Sequence, residues 1–424
     1  MKVFKFGGAS VNSADAVRNM AQIVKNNLEA SKLMVVVSAM GKTTNLLEKL
    51  VPGADTPAKT KMELRQQLEF YHRTIASQLM PDNEHIQQVI DNLLDSVDNL
   101  CTTLPSDVDH YNYNYDQVVS HGELLSTAII ADYLNSIGID TQLKDARQLI
   151  KTDPHFREGR VDWQATQASV VNAHLQNSSN VILTQGFIGG TTTTPSTTTL
   201  GREGSDYTAA ILAYCLDAES VTIWKDVPGF LNADPKFFND TVKISHIPYN
   251  EAIELAYYGA SVIHPKTVKP LQNKNIPLYI KSFITPLSEG SEIGSYTDIS
   301  PATPLYIFKN NQILLSILPR DYSFIAEDNL QVIFGILNEL GIRVNMMQNS
   351  ALSFSICVDN NPQRIGVLIE RLRCTFRVRY NDNLQLITIR YYTQAVIDSI
   401  VNGRPILLEQ RSRTTEQLIV NEER

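Results

Sequence analysis

The segment Leu33-Met34-Val35-Val36-Val37 is apolar at every position, and this run constrains the fold more tightly than anything else in the chain. A strand with one face in water alternates apolar and polar residues, whereas an unbroken apolar run marks a strand buried on both faces of a parallel sheet. Neighbouring patterns agree. Val3-Phe4-Lys5-Phe6 reads as a strand that ends at Gly7-Gly8. A helix then starts near Ser13, a good N-cap, with Val17, Met20, Ala21, Val24 and Leu28 at helical spacing. Further strands are expected at Val181-Ile182-Leu183-Thr184, Val221-Thr222-Ile223-Trp224 and Pro277-Leu278-Tyr279-Ile280. Helices separate them, so the chain to about residue 290 reads as an α/β sandwich.

Two segments interrupt this rhythm. Ile86, Val89, Ile90, Leu93, Leu94, Val97 and Leu100 form one apolar helical stripe, which reads as packing. The Thr-rich run 191–199, broken by Pro195, reads as a loop, either a lid or a plain surface connection. Beyond Gly294 the pattern changes to strands at 312–318, 343–347, 352–358 and 384–391, with helices at 329–340 and 362–372. That order describes a small α+β module, with a boundary in 290–303.

A length of 424 residues fits two or three domains, and 43% hydrophobic with 19% charged residues excludes global disorder. The formal net charge of -8 offers no reason to expect nucleic acid or an anionic membrane as partner, so an anionic ligand needs a local cationic pocket. Cys101, Cys215, Cys357 and Cys374 form no CxxC pair and read as reduced core thiols. The N-terminus lacks a signal-peptide core, and no apolar run approaches the ~20 residues of a membrane span. The expectation is a soluble, cytoplasmic protein without a metal site of its own.

Three glycine turns carry the chemistry. Gly7-Gly8 offers backbone N–H groups at a strand-to-helix turn, and Lys5 places an ammonium beside the same point. Gly201-Arg202-Glu203-Gly204-Ser205-Asp206 opens a helix expected at 207–216, with Ser205 as its cap. Arg202 has the planar fork that grips a carboxylate. Asp206 either complements the helix dipole or holds Lys5 or a substrate ammonium. Trp224-Lys225-Asp226-Val227-Pro228-Gly229, leading to Asn232-Ala233-Asp234-Pro235-Lys236, is a tight turn on which a base and ribose can lie. There is no GxxxxGK[ST], since Val36 stands where its first glycine belongs, and no GxGxxG follows a strand.

Together these segments resemble the aspartate kinase family, within the amino-acid kinase fold. The residues that carry the likeness are Lys5-Phe6-Gly7-Gly8-Ala9-Ser10-Val11, Val37-Ser38-Ala39, Thr44-Asn45-Leu46-Leu47, Ser120-His121-Gly122-Glu123 and Thr184-Gln185-Gly186-Phe187. The block from Thr199 through Gly201-Arg202-Glu203-Gly204-Ser205-Asp206 to Ala210, Asp226-Val227-Pro228-Gly229, and Gly259-Ala260 with His264-Pro265 complete it. The resemblance implies transfer of a phosphoryl group from Mg²⁺-bound ATP to the side-chain carboxylate of L-aspartate, the first step toward lysine, threonine and methionine. Lys5, with the Gly7 and Gly8 amides, would contact the transferring group. Ser38, Thr44, Glu123, Phe187 and Arg202 would hold aspartate, Glu123 by its ammonium. Asp206 would orient the reactants, and Lys225, Asp226, Leu231 and Lys236 would bind the nucleotide.

This sequence departs from the family at four positions. Ala9 stands for a usual Thr, Ser261 for a usual Lys, Lys225 for Thr or Ser, and Lys236 for Arg; the expectation is that Lys225 restores from another strand the charge lost at Ser261. The C-terminal region resembles paired ACT modules, one at 312–384 and an abbreviated second at 304–309 plus 385–424, after a catalytic domain at 1–295. The resemblance implies an amino-acid effector near Val344, Asn345 and Ser350 and a homodimer or higher oligomer. Ala351 replaces an acidic residue of lysine-inhibited relatives, so threonine or no effector stays open. Other amino-acid kinases and a non-catalytic ACT sensor remain alternatives at this stage.

Overall fold

The five strands expected in the first part of the chain are consecutive neighbours in one eight-stranded sheet. Their order is Leu278–Ser282, Ser220–Lys225, Lys2–Phe6, Leu33–Val37 and Val181–Gln185. Thr141–Lys144 closes one edge, and Ser291–Gly294 followed by His246–Pro248 closes the other. The structure, a computed structural model, describes residues 1–28, 32–193, 195–238, 240–260, 262–321 and 323–422. Every strand pairing in this sheet is parallel except that of Leu278–Ser282 with Ser291–Gly294.

All five residues of Leu33–Val37 are buried, as the uninterrupted apolar run requires. Each such Val or Leu contributes about 1.5–3 kcal/mol by leaving water. The register sets Phe6 level with Val37 and Trp224, and Val37 level with Gln185. Four carboxyl ends therefore reach the same edge of the sheet. Phe6 and Trp224 stack with centroids 6.1 Å apart, fixing that alignment through side chains as well.

Helix Ala14–Leu28 begins after Ser13, whose Oγ accepts from the Ala16 N–H at 3.2 Å. In helix Glu84–Thr103, Ile86, Ile90, Leu94 and Val97 are buried in the main core, so the stripe is packing. The Thr-rich run is a different matter. Ile188–Thr191 and Thr197–Thr199 pair antiparallel, and Thr197, Thr198 and Thr199 are all buried. The β-branched threonines that read as loop are a buried strand, because Thr fits a pleated surface well.

The C-terminal sheet has six strands, in the order Val344–Asn349, Phe354–Asp359, Leu305–Pro319, Phe376–Arg390, Thr415–Asn421 and Ile406–Arg411. All its pairings are antiparallel. Two of these strands are 15 residues long, where the sequence reads as separate shorter pieces. The polar stretch Lys309-Asn310-Asn311-Gln312 is an irregularity in one continuous strand, with Asn311 left-handed at φ 52. In the other strand, buried Phe376 and Val378 alternate with exposed Arg377 and Arg379, the signature of a half-buried strand. Helices Glu327–Glu339 and Pro362–Thr375 supply Ile333, Leu337, Ile365, Leu368 and Leu372 to the core beneath.

By packing, the chain forms two units. One comprises Met1–Phe230, Lys243–Ala256 and Ser261–Pro301, and the other Leu231–Val242, Tyr257–Ala260 and Ala302–Arg424. Leu231–Val242, which the sequence reading assigns to the first part, joins the second unit through rings. Phe237 stacks on Phe308 at 5.0 Å and Phe238 on Tyr306 at 4.9 Å.

Candidate active site

At the carboxyl edge of the large sheet, the Lys5 ammonium sits 2.6 Å from Asp206 Oδ1. Asp206 occupies the first turn of helix Gly204–Cys215 and is 2% exposed. Lys225, the last residue of its strand, places Nζ 3.6 Å from Asp206 Oδ2 and donates to the Val262 carbonyl. Burial alone would raise the Asp206 pKa, but Lys5 and then Lys225 hold the carboxyl below its usual range. Two cations thus converge on one buried carboxylate. Lys225 brings positive charge to this point; Ser261 lies outside the described residues.

Helix Gly204–Cys215 starts earlier than expected. Glu203 takes the N-cap position in a left-handed conformation, φ 53, and makes no side-chain cap. Ser205 is therefore inside the first turn and is not the cap. Gly8 shows why the first turn is glycine: a Cβ there would stand 2.7 Å from the Ala39 carbonyl oxygen.

The cleft also holds a buried carboxyl with one oxygen unpartnered. Glu123, in the first turn of helix His121–Ser136, accepts from the Ala39 N–H through Oε1 at 3.3 Å. Its Oε2 is buried with no hydrogen-bond partner, and burial pushes the carboxyl up to about 8. Ser38 follows the Leu33–Val37 strand, and its N–H donates to Phe6 O at 3.1 Å. Phe187 is left-handed, φ 69, with its N–H held by Thr208 Oγ1 at 3.0 Å.

One cleft of about 600 Å³ gathers Lys5, Gly8, Ser38, Thr44, Glu123, Phe187, Arg202, Asp206 and Lys225. Among the described residues, its lining does not include Gly7, Asp226, Leu231 or Lys236. Leu231 and Lys236 lie on the segment that packs with the second unit. The lining adds Tyr115, Arg157 and Glu158, which the sequence reading missed, and Thr199 and Glu203, which it quotes within the glycine block without a role. Buried Asp116 organises two of them, accepting from Arg157 N at 2.8 Å, Thr199 N at 2.9 Å and Thr199 Oγ1 at 2.7 Å. Burial pushes the Asp116 carboxyl up to about 6 against these donors. No local pattern in the sequence marks Asp116, since it is an ordinary helical position whose partners come from distant segments.

The expected effector residues lie in the second unit. Asn345 is already engaged: it donates to Gln312 Oε1 at 2.8 Å and Asp359 Oδ1 at 2.9 Å, and accepts from Lys309 Nζ at 2.8 Å. Ser350 Oγ lies 2.8 Å from Ser353 Oγ, and Val344 opens its strand half-buried.

Among the described residues, no group of three or more His, Cys, Asp or Glu is placed to hold a metal ion, and no helix is long and apolar enough to cross a membrane. The cleft combines a lysine pair, a glycine turn and a buried carboxyl with one open oxygen at the carboxyl ends of a mostly parallel sheet. That combination defines a site for anionic, phosphate-bearing small molecules.

Comparison with known proteins agrees. The profile of the amino acid kinase family matches residues 1–282. Lysine-sensitive aspartokinase 3 of Escherichia coli (strain K12) is 33% identical over 368 residues, spanning 84% of this chain and 78% of that protein. Chloroplastic aspartokinase 1 of Arabidopsis thaliana is 33% identical over 371 residues, 84% of this chain but 63% of its own length. Among solved structures, E. coli aspartokinase III in complex with aspartate and ADP (R-state) superposes with a TM-score of 0.84 at 28% identity, covering 99% of this chain and 96% of that one. The same protein in complex with lysine and aspartate (T-state) gives 0.82 with the same identity and coverage. The chain belongs to the amino acid kinase family, and within it to the aspartokinases. It is a kinase with the amino-acid kinase α/β sandwich followed by an α+β ACT-like region.

Proposed function

We propose that this protein transfers the γ-phosphoryl group of Mg·ATP to the side-chain carboxylate of L-aspartate. The observation that carries the proposal is the pairing of Lys5 with Asp206 in the cleft that also holds Glu123, whose Oε2 has no partner. A carboxylate is nucleophilic at neutral pH, so no general base is needed. The protein's task is alignment and relief of repulsion between two anions. Asp206 fixes the Lys5 ammonium, which faces the transferring phosphoryl group, with Gly7 and Gly8 beside it. Lys225 supplies the second cation toward the nucleotide, followed along the chain by Asp226, Leu231 and Lys236. Glu123 receives the substrate ammonium and Arg202 a carboxylate, while Ser38, Thr44 and Phe187 shape the pocket. Mg²⁺ enters with the nucleotide, held by phosphates and water, so it requires no dense carboxylate cage.

The R-state and T-state complexes of the E. coli relative, with aspartate and ADP and with lysine, support the same substrates and an amino-acid effector here. We place that effector at the Val344–Asn349 edge of the C-terminal sheet, beside Ser350, and assign the chain a homodimeric or higher assembly in a reducing, cytoplasmic compartment that suits its free cysteines. Purified protein with ATP, Mg²⁺ and hydroxylamine tests the reaction. Aspartyl hydroxamate is the expected product. Glutamyl hydroxamate in its place, or no hydroxamate at all, rejects the proposal.

A further inference from the structure

Arg202 lines the cleft just before helix Gly204–Cys215. None of the described residues bonds to its guanidinium, so the backbone sets where the side chain points. That backbone is unusual. Gly201 before it is left-handed, φ +78, and so is Glu203 after it, φ 53. A left-handed glutamate persists only where its surroundings over-determine it. Something outside the loop must therefore hold the loop in place.

The hold comes from helix Tyr111–Val119. Gln117 takes both backbone groups of Thr197: its Nε2 donates to Thr197 O at 2.8 Å, and its Oε1 accepts from Thr197 N at 3.1 Å. Asp116, which is fully buried, accepts from Thr199 N at 2.9 Å and from the Thr199 hydroxyl at 2.7 Å. The strand Thr197–Thr199 already has its register set by Ile188–Thr191. Asp116 acts at its last residue, where that pairing ends and the arginine loop begins. The same carboxylate accepts from Arg157 N at 2.8 Å, and Gly159 N donates back to Thr199 O at 2.8 Å. A Cβ on Gly201 would stand 3.4 Å from Arg157 O, so this second segment backs the arginine loop directly. One carboxylate thus fixes two segments of the cleft wall without lining the cleft itself.

We propose that Asp116 is a positioning residue for the reaction: through Thr199 it holds the loop to Glu203 in the one setting that aims Arg202 at the substrate aspartate. The inference rests on the function proposed above. In the intact protein, Asp116→Ala raises the KM for aspartate about tenfold or more and leaves the KM for ATP within about twofold. Asp116→Asn brings the aspartate KM back to within about threefold of wild type, because the amide oxygen accepts both N–H groups while its NH2 donates to the Thr199 hydroxyl. Thr199→Val deletes only the hydroxyl bond and keeps the strand's shape; it raises the aspartate KM about threefold, and it carries the test should Asp116→Ala fail to fold. With an active wild type, an unchanged aspartate KM in the folded variants overturns this inference alone. So do equal losses for aspartate and ATP, or an Asp116→Asn protein no better than Asp116→Ala. A wild type that forms no aspartyl hydroxamate overturns both readings.

Discussion

In the C-terminal sheet, the side chains of Asn345, Gln312, Asp359 and Lys309 bond to one another, and Gln312 is 1% exposed without an unmet need. In the cleft, Glu123 Oε2 and Glu203 Oε2 are buried with no partner. A closed polar network stabilises one packing arrangement, whereas an orphaned buried carboxylate costs stability and persists where a ligand completes it. The contrast is between side chains that satisfy one another within the sheet and two carboxylate oxygens left open in the cleft, although Glu416 Oε1 in the C-terminal sheet is also buried without a partner. It also bears on regulation, since an effector that uses Asn345 has to compete with bonds already made.

Removing the central cation tests the cleft side of this contrast most severely. Lys5→Ala should lower kcat by about 10²–10³-fold while the protein stays folded, because one charge donor at the transferring group is lost. Turnover within tenfold of wild type would take Lys5 out of the reaction.

Glu123→Gln sharpens the same side through pH. The Glu123 carboxyl is raised to about 8 from an ordinary 4.5, so the folded protein favours its protonated form. The associated stability is fully present below the ordinary carboxylate range and is lost as pH climbs through about 8. Glu123→Gln escapes that loss. Without ligand it should match the wild type near pH 4 and exceed it on the order of a few kcal/mol above pH 8, while binding aspartate at least about tenfold more weakly. Equal unfolding curves at both pH values would mean that the Glu123 carboxylate finds a partner in the free protein.

The smallest effect belongs to the sheet. Gln312→Ala leaves Asn345 and Asp359 short of bonds and should cost about 1–3 kcal/mol in chemical denaturation, with kcat unchanged. A loss of turnover without a loss of stability would break the separation of roles.

What could be read from the sequence was local. Lys5, Gly8, Arg202 and Asp206 each lie within two residues of a glycine and Lys225 ends a strand, so turn chemistry and strand period place them without knowledge of the fold. Arg157, Tyr115 and Thr199 reach the cleft only because helix Tyr111–Val119, the loop after Lys151–Thr152 and the Thr197–Thr199 strand meet in space. No spacing along the chain encodes that meeting. The helix opens at Gly204, earlier than the spacing indicates, because its N-cap is a left-handed Glu203 that makes no side-chain cap, so no capping serine marks the start. The long strands were cut short because Lys309 to Gln312 looks like a break, and only the partner strand shows that pairing resumes beyond it.

Those two strands carry an architectural consequence. Leu305 lies opposite Arg390 at one end of their ladder and Pro319 opposite Phe376 at the other, so each strand serves both halves of the sheet. Severing the chain near residue 384 would split the beam that the halves share. Neither half is a detachable cassette, and recombination that imports one half from a relative must import the other with it.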